Sequence, residues 1–227
     1  MNKTQGRGTF SDIQIVALAA FLVIFYFSLL NHQMIFPDHW FPSHFAASSF
    51  TFLFCAWILS EFINSIWSRK NSQSTSKDKG SYRIVIVASY AVLIIAFMFR
   101  SSGIGIFNGG LQYIGVIMLI SGILLREWSI WVLGKYFTVR VQVSDNAKLV
   151  TEGPYKYIRH PAYTGGFLTF AGIPIAIGTW SGALVAIVVS MIAYLHRIRI
   201  EEEALQEAFG SEYEEYKKRT WKLLPGF

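Results

Sequence analysis

The sequence predicts an all-α integral membrane fold with about six transmembrane segments. The last two form a helical hairpin, and a cytosolic amphipathic helix follows at the C-terminus. Three observations lead there. The 227 residues are 53% hydrophobic and only 15% charged, with a mean hydropathy of +0.40, whereas a soluble domain carries more charge on its surface. Apolar runs recur at the roughly 20-residue length that a bilayer core demands of a helix. The basic residues sit between those runs, which is how membrane topology distributes them. The net charge of +6 would suggest nucleic acid in a soluble chain. Here that placement assigns it to topology, and no nucleic-acid partner is expected.

In chain order, residues 13–30 form the first predicted span, with Ser11 and Asp12 as N-terminal caps. Two basic residues lead into this long run and no small-residue cleavage site follows, so it is read as a span and not as a removable leader. Residues 31–44 form a loop with Pro37 and Pro42 and no Lys or Arg. The second span is 45–67, with Glu61 inside it, and 68–83 is a Ser- and Lys-rich linker. The third span is 84–99, and a glycine-rich turn fills 100–110. The fourth span, 111–133, carries Arg126 and Glu127 in its last third. A polar loop at 134–161 leads to the hairpin, 162–178 and 182–195, whose first arm contains Pro174 as a kink site. From His196 a charged amphipathic helix runs toward Leu223, Leu224 and Pro225. The chain thus divides into an N-terminal part, 1–110, with three spans, and a core, 111–227. The core comprises the fourth span, the loop 134–161, the hairpin 162–195 and the C-terminal helix 196–227. Cys55, the single cysteine, excludes an intrachain disulfide, and the five histidines are scattered without metal-ligand spacing.

The basic residues test this division. With both termini cytosolic, residues 1–12, 68–83, 134–161 and 196–227 face the cytosol and hold 2, 5, 5 and 6 Lys/Arg, which is 18 of the 20. Arg100 falls on the outer side and Arg126 within a span. A hairpin that starts and ends on the cytosolic side brings its ends together, so the polar stretch 151–163 is expected to face residues 197–203.

Those two stretches carry the chemistry-bearing residues. The first combines Gly153, Pro154 and Pro161 with Tyr155, Tyr157, Tyr163, Lys156, Arg159 and His160. Its plain reading is a proline-punctuated interfacial loop with belt aromatics. The second contains Arg197, Arg199, Glu201, Glu202 and Glu203, then Leu205, Phe209, Tyr213 and Tyr216 at helical spacing. Arg199 and Glu203, four residues apart, read plainly as a surface ion pair. Intramembrane Glu61, Arg126 and Glu127 are functional candidates by position. Pairing of Glu61 with Arg126 across spans two and four is their structural reading. Gly103, Gly105 and Gly109 mimic a nucleotide-binding loop but lack the strand–loop–helix context, which also excludes a soluble Rossmann-type domain.

Together the stretches resemble the isoprenylcysteine carboxyl methyltransferase family of integral membrane enzymes. The matching residues are Leu149 and Val150, Gly153 to Tyr155, Arg159 to Tyr163, Arg199, and Glu201 to Glu203. Phe209, Gly210, Ser211, Glu212, Tyr213 and Tyr216 match as well, with the terminal Leu224–Pro225. The resemblance covers about residues 111–227. Phospholipid and thiol methyltransferases share the loop motif. A membrane sterol reductase family has a similar His-Pro-x-Tyr, but the Phe-Gly-x-Glu-Tyr continuation favours the methyltransferases. The resemblance implies S-adenosylmethionine as methyl donor, bound by Gln142, Lys148, Leu149, Val150, Tyr155, His160, Pro161, Ala162, Tyr163 and Glu203. It implies Arg199 as the substrate-facing residue, with Arg199 and Glu203 as the catalytic pair. The active site would face the cytosol, and a lipophilic acceptor would enter from the bilayer among the membrane lipids. The preferred acceptor is the carboxylate of an isoprenylcysteine-like molecule. N- or S-methylation of a lipid or small acceptor, a nicotinamide-dependent membrane reductase and an inactive scaffold are the alternatives.

Overall fold

The structure, a computed structural model, describes residues 36–71, 80–138, 148–224 and 226. The predicted first span, 13–30, and Gln142 lie outside the described residues. The chain forms two units, Met1–Asp38 and His39–Phe227. Of the first only 36–38 are described.

Six α-helices are found among the described residues: α1 (His44–Asn71), α2 (Ser81–Ser101), α3 (Leu111–Leu133), α4 (Pro161–Ala176), α5 (Trp180–Phe209) and α6 (Ser211–Lys218). Four of them are long and apolar enough to cross a membrane, over His44–Ser68, Ser81–Ser101, Leu111–Tyr136 and Trp180–Phe209. The predicted 111–133 span coincides with α3, and those at 45–67 and 84–99 lie inside α1 and α2. The first hairpin arm, α4, has 16 residues, about 24 Å at 1.5 Å per residue, short of the roughly 30 Å hydrocarbon core. Pro174 lies inside it, and its ring nitrogen has no proton to give back to the preceding turn.

One boundary departs from expectation. No separate helix begins at His196. Instead α5 continues unbroken for 30 residues to Phe209, about 45 Å, so nearly half of it extends beyond the apolar part that ends at Leu195. The residues from 196 to 209 include no Gly or Pro and are mostly good helix formers. Polarity changes at 196, but nothing there breaks the backbone. The break comes at Gly210, whose φ of 51° places it in the left-handed region that favours glycine.

Glycines set how closely the core helices approach. A Cβ on Gly122 of α3 would stand 2.6 Å from the Gly165 carbonyl oxygen of α4, and one on Gly165 the same distance from the Gly122 oxygen. Close backbone packing of small residues is the usual way membrane helices associate. At one end of the bundle the α4–α5 turn is clamped. The buried Arg100 guanidinium donates to the Gly178 carbonyl at 3.2 Å and to Asn108 Oδ1 at 2.7 Å. Gln112 Nε2 donates to the Ala176 carbonyl at 2.9 Å. The glycine-rich loop joins this clamp through Phe107 N to Gly178 O and Trp180 N to Gly105 O, both 2.9 Å. Its glycines thus serve a hairpin turn.

At the opposite end, the last turns of α3, the first turn of α4 and the polar part of α5 converge. The α1 helix joins there through an ion pair of Glu61 with Arg126 of α3. One turn further on, Asn64 Nδ2 donates to Glu127 Oε1 at 2.9 Å.

Gly122→Leu should force α3 away from α4 and lower the thermal midpoint of the detergent-solubilised protein, at an overpacking cost of about 1–3 kcal/mol or more. Ile117→Leu, on the 61% exposed outer face of the same helix, should leave that midpoint unchanged. Equal midpoints for the two variants would contradict the close-packing account.

Candidate functional site

The loop before α4 is held in place by the chain that follows α5. A short 3-10 turn over Gly153–Lys156 buries Tyr155, whose carbonyl accepts a 2.7 Å hydrogen bond from the Tyr216 hydroxyl of α6. Burial pushes the Tyr155 phenol well above its usual pKa, so it stays protonated. Leu149 packs with Tyr213 and Tyr216, with Leu205 and Phe209 against them. The C-terminal residues then run beside the loop as a backbone ladder. Trp221 N donates to Tyr157 O at 2.9 Å, Arg159 N to Trp221 O at 2.7 Å, and His160 N to Lys222 O at 3.2 Å. Thr164 Oγ1 closes it by donating to Leu223 O at 2.6 Å.

Two acidic side chains of α5 meet this loop. Glu202 Oε1 accepts from Arg159 Nε at 3.1 Å and lies 3.3 Å from His160 Nε2, while Lys222 Nζ stands 3.7 Å from Oε2. Burial works to raise the Glu202 pKa. The hydrogen bond and charge of His160, with Lys222 and Arg159 beside it, outweigh burial and lower it to about 2. One turn into α4, the Tyr163 hydroxyl donates to Glu201 Oε2 and accepts from Arg197 Nε, both at 2.7 Å. Arg197 is buried, and its other end donates to Ser81 Oγ of α2 at 2.8 Å. The Tyr163 ring lies 5.8 Å from the His160 ring and 5.4 Å from that of Tyr194. Pro161 opens α4 with His160 as its N-cap residue, the position where proline's missing N–H costs nothing.

The structure therefore brings together Leu149, Tyr155, His160, Pro161, Ala162 and Tyr163 of the predicted set. Lys148 is exposed and Val150 half-buried at the edge of the loop. Arg199 and Glu203 form a side-chain ion pair at 3.3 Å, with side chains 81% and 47% exposed, which is their plain reading. The residues that engage Tyr163 are Arg197 and Glu201, and Glu202 engages Arg159 and His160. Sequence reasoning named these as motif members but did not place them in the site. Helix arithmetic carries the missing signal. At about 100° per residue, Tyr194, Arg197 and Glu201 share one face, while Arg199 lies about 200° from Arg197.

Chemically, the cluster offers carboxylates, aromatic faces and an imidazole beside a buried guanidinium. Carboxylates and aromatic faces favour a cationic centre, and guanidinium favours a carboxylate. The donor set thus suits a pair of ligands, one bearing positive charge and the other an anionic head.

A carboxyl held below its usual pKa lends stability that is complete above about pH 4.3 and is lost as the pH falls toward the folded value of about 2. Wild-type protein should therefore lose part of its thermal stability below about pH 4.3. Glu202→Gln should cost about 1–3 kcal/mol near neutral pH, because Arg159 loses a charged acceptor, and should show a shallower acid-side decline. Parallel melting curves for the two proteins across that range would contradict this role for Glu202.

A family model described as phospholipid methyltransferase matches residues 111–212. A probable protein-S-isoprenylcysteine O-methyltransferase of Oryza sativa subsp. indica is 32% identical over 116 residues, covering 50% of this chain and 61% of the relative. The Schizosaccharomyces pombe protein-S-isoprenylcysteine O-methyltransferase is 31% identical over 139 residues, 60% of this chain and 59% of the relative. The Homo sapiens protein of that name is 35% identical over 118 residues, 51% of this chain and 41% of the relative. The chain thus spans between about two-fifths and three-fifths of the length of these relatives. A solved structure of the eukaryotic intramembrane Ras methyltransferase, isoprenylcysteine carboxyl methyltransferase, aligns with a TM-score of 0.61 at 24% identity, covering 94% of this chain and 75% of that one. That likeness shows a shared fold. Through the C-terminal half, where these matches and the site coincide, the chain is similar to protein-S-isoprenylcysteine O-methyltransferases.

Proposed function

We propose that this chain is a membrane methyltransferase that transfers a methyl group from S-adenosylmethionine to the carboxylate of an isoprenylcysteine-like lipophilic acceptor. The observation that carries the reading is the junction at Tyr163. There the first turn of α4 meets Arg197 and Glu201 of α5, inside the segment matched by the methyltransferase family model. The names of the relatives supply the reaction class and the acceptor.

When bound, S-adenosylmethionine supplies the electrophilic methyl group. Among the described residues, Leu149, Val150, Tyr155, His160, Pro161, Ala162 and Tyr163 form the donor side, with Lys148 at its rim. The resemblance adds Gln142, which lies outside the described residues, and Glu203, whose side chain pairs with exposed Arg199. Carboxylates and aromatic rings hold positive charge there. In our reading Arg197 takes over from Arg199 as the acceptor-facing cation, because it is buried and bonded to Tyr163 while Arg199 is exposed. Its planar fork suits a carboxylate, and Glu201 orients it through the shared phenol. Such an acceptor is already ionised at neutral pH and needs no general base. Catalysis then rests on alignment and exclusion of water.

The distribution of Lys and Arg supports six spans with both termini and the site on the cytosolic side, and the acceptor would reach the site laterally from the bilayer. Description of the matching family as phospholipid methyltransferase favours one second reading, an amine acceptor. That acceptor would need deprotonation, for which His160 or a glutamate is in reach.

Calorimetric titration of the purified protein should show binding of S-adenosylhomocysteine and none of a nicotinamide dinucleotide; the reverse pattern would overturn the methyltransferase reading. Radiolabelled donor supplied with a farnesylated cysteine analogue, a phosphatidylethanolamine or a thiol identifies the acceptor, and label in the cysteine analogue as an alkali-labile ester is expected. Arg197→Ala should lower turnover about 10²–10³-fold, as loss of a charge-stabilising donor does, whereas Arg199→Ala should stay near wild type. The opposite order would return the role to Arg199.

A further inference from the structure

The Glu61–Arg126 pair lies in the membrane-spanning part of the bundle, one layer beneath the site. Arg126 Nε and Nη2 both face the Glu61 carboxylate, the second at 2.8 Å. Its remaining nitrogen, Nη1, donates to the Ala162 carbonyl at 3.2 Å. A guanidinium is a rigid planar fork. Once Glu61 holds two of its nitrogens, the direction of the third is set, and it points at the first turn of α4. Ala162 lies between Pro161 and Tyr163, and Tyr163 is the residue that Arg197 and Glu201 grip from the other side. Packing agrees with this reading, because a Cβ on Gly165 would stand 2.7 Å from the Arg126 backbone nitrogen and 2.8 Å from its Cβ. The start of α4 therefore rests directly on Arg126. Glu61, by contrast, belongs to α1, outside the segment 111–212 that matches the methyltransferase family.

We infer that Glu61 of α1 and Arg126 of α3 are positioning residues of the donor site: the ion pair fixes the height and direction of the Pro161–Tyr163 turn through the Ala162 carbonyl. An unpaired arginine is costly in this environment and turns toward other partners. Without Glu61 the guanidinium loses its fixed aim, the Ala162 hydrogen bond goes with it, and Tyr163 shifts against Arg197 and Glu201. The N-terminal part of the chain is thereby a component of the site. This inference rests on the methyltransferase reading above.

The test uses full-length protein in detergent, with the thermal midpoint and S-adenosylhomocysteine affinity measured on the monodisperse fraction. Binding by the wild type is established first, and its absence would fail the functional reading itself. Glu61→Gln and Arg126→Lys should each remain folded yet bind about 10- to 100-fold more weakly, the cost of misplacing a site by about an ångström. The decisive variant is the exchanged pair, Glu61→Arg with Arg126→Glu. It restores the tie between α1 and α3 but offers the Ala162 carbonyl no donor from α3. We expect its midpoint to return toward wild type while its affinity stays low. Affinity that recovers together with the midpoint would overturn the inference by making the pair a mere structural link. Should the exchanged pair yield no folded protein, Arg126→Lys decides: it keeps the charge beside Glu61 but cannot grip both Glu61 and Ala162. Wild-type affinity in that variant would equally overturn the positioning role.

Discussion

The Glu202 carboxylate is the interaction on which the site end of the bundle depends. A carboxylate this far inside the fold is tolerable only if cations and hydrogen-bond donors compensate it. Arg159 and His160 come from the loop before α4, and Lys222 comes from the C-terminal segment. One acid on α5 thus joins three separate pieces of chain. The rest follows locally. With Arg159 Nε turned toward Glu202, its Nη1 reaches the Lys217 carbonyl at 3.1 Å, and the backbone ladder from Tyr157 to His160 runs beside Trp221 and Lys222. With His160 fixed, Pro161 starts α4 in one direction only, and Tyr163 one turn later lands between Arg197 and Glu201.

That direction is maintained below by packing of a different kind. Lipid tails are as apolar as leucine side chains, so α3 and α4 gain little from hydrophobic contact and rely on close backbone approach at glycines. Polar ties occur where the glycine-packed middle ends: Arg100 and Gln112 at the hairpin turn, Arg126 and Arg197 toward the site. Each arginine reaches across helices that the glycines have already brought close. Helix packing sets the distance, and guanidinium geometry sets the direction.

Much of this was legible in the sequence, for identifiable reasons. A spanning helix must be a long apolar run, so the α3 bounds were readable to the residue. Intramembrane charges need partners, so Glu61 and Arg126 could be paired before any coordinates. The convergence of 151–163 with 197–203 followed from the direction of a hairpin. The continuity of α5 did not, because a change from apolar to charged residues marks a membrane boundary and leaves the backbone hydrogen bonds unaffected. Which face of α5 meets the loop was not legible for a related reason. With two arginines and three glutamates in a run of seven residues, composition does not choose the helix face. Only the 100° advance per residue separates Arg197 and Glu201 from Arg199 and Glu203. The ladder between Tyr157 and Trp221 was invisible, since backbone pairing of irregular segments leaves no periodic side-chain signal.

The central claim is that the turn at Tyr163 and the Arg197–Glu201 face of α5 act as one unit in methyl transfer. A double-mutant cycle on Tyr163→Phe and Glu201→Gln, read as turnover with S-adenosylmethionine and a farnesylated cysteine analogue, tests it most directly. Residues sharing one hydrogen-bond network should be strongly non-additive, with a coupling energy of about 1–3 kcal/mol. Effects that add to within about 0.5 kcal/mol would mean that the two sides of the site work independently, and would contradict the account.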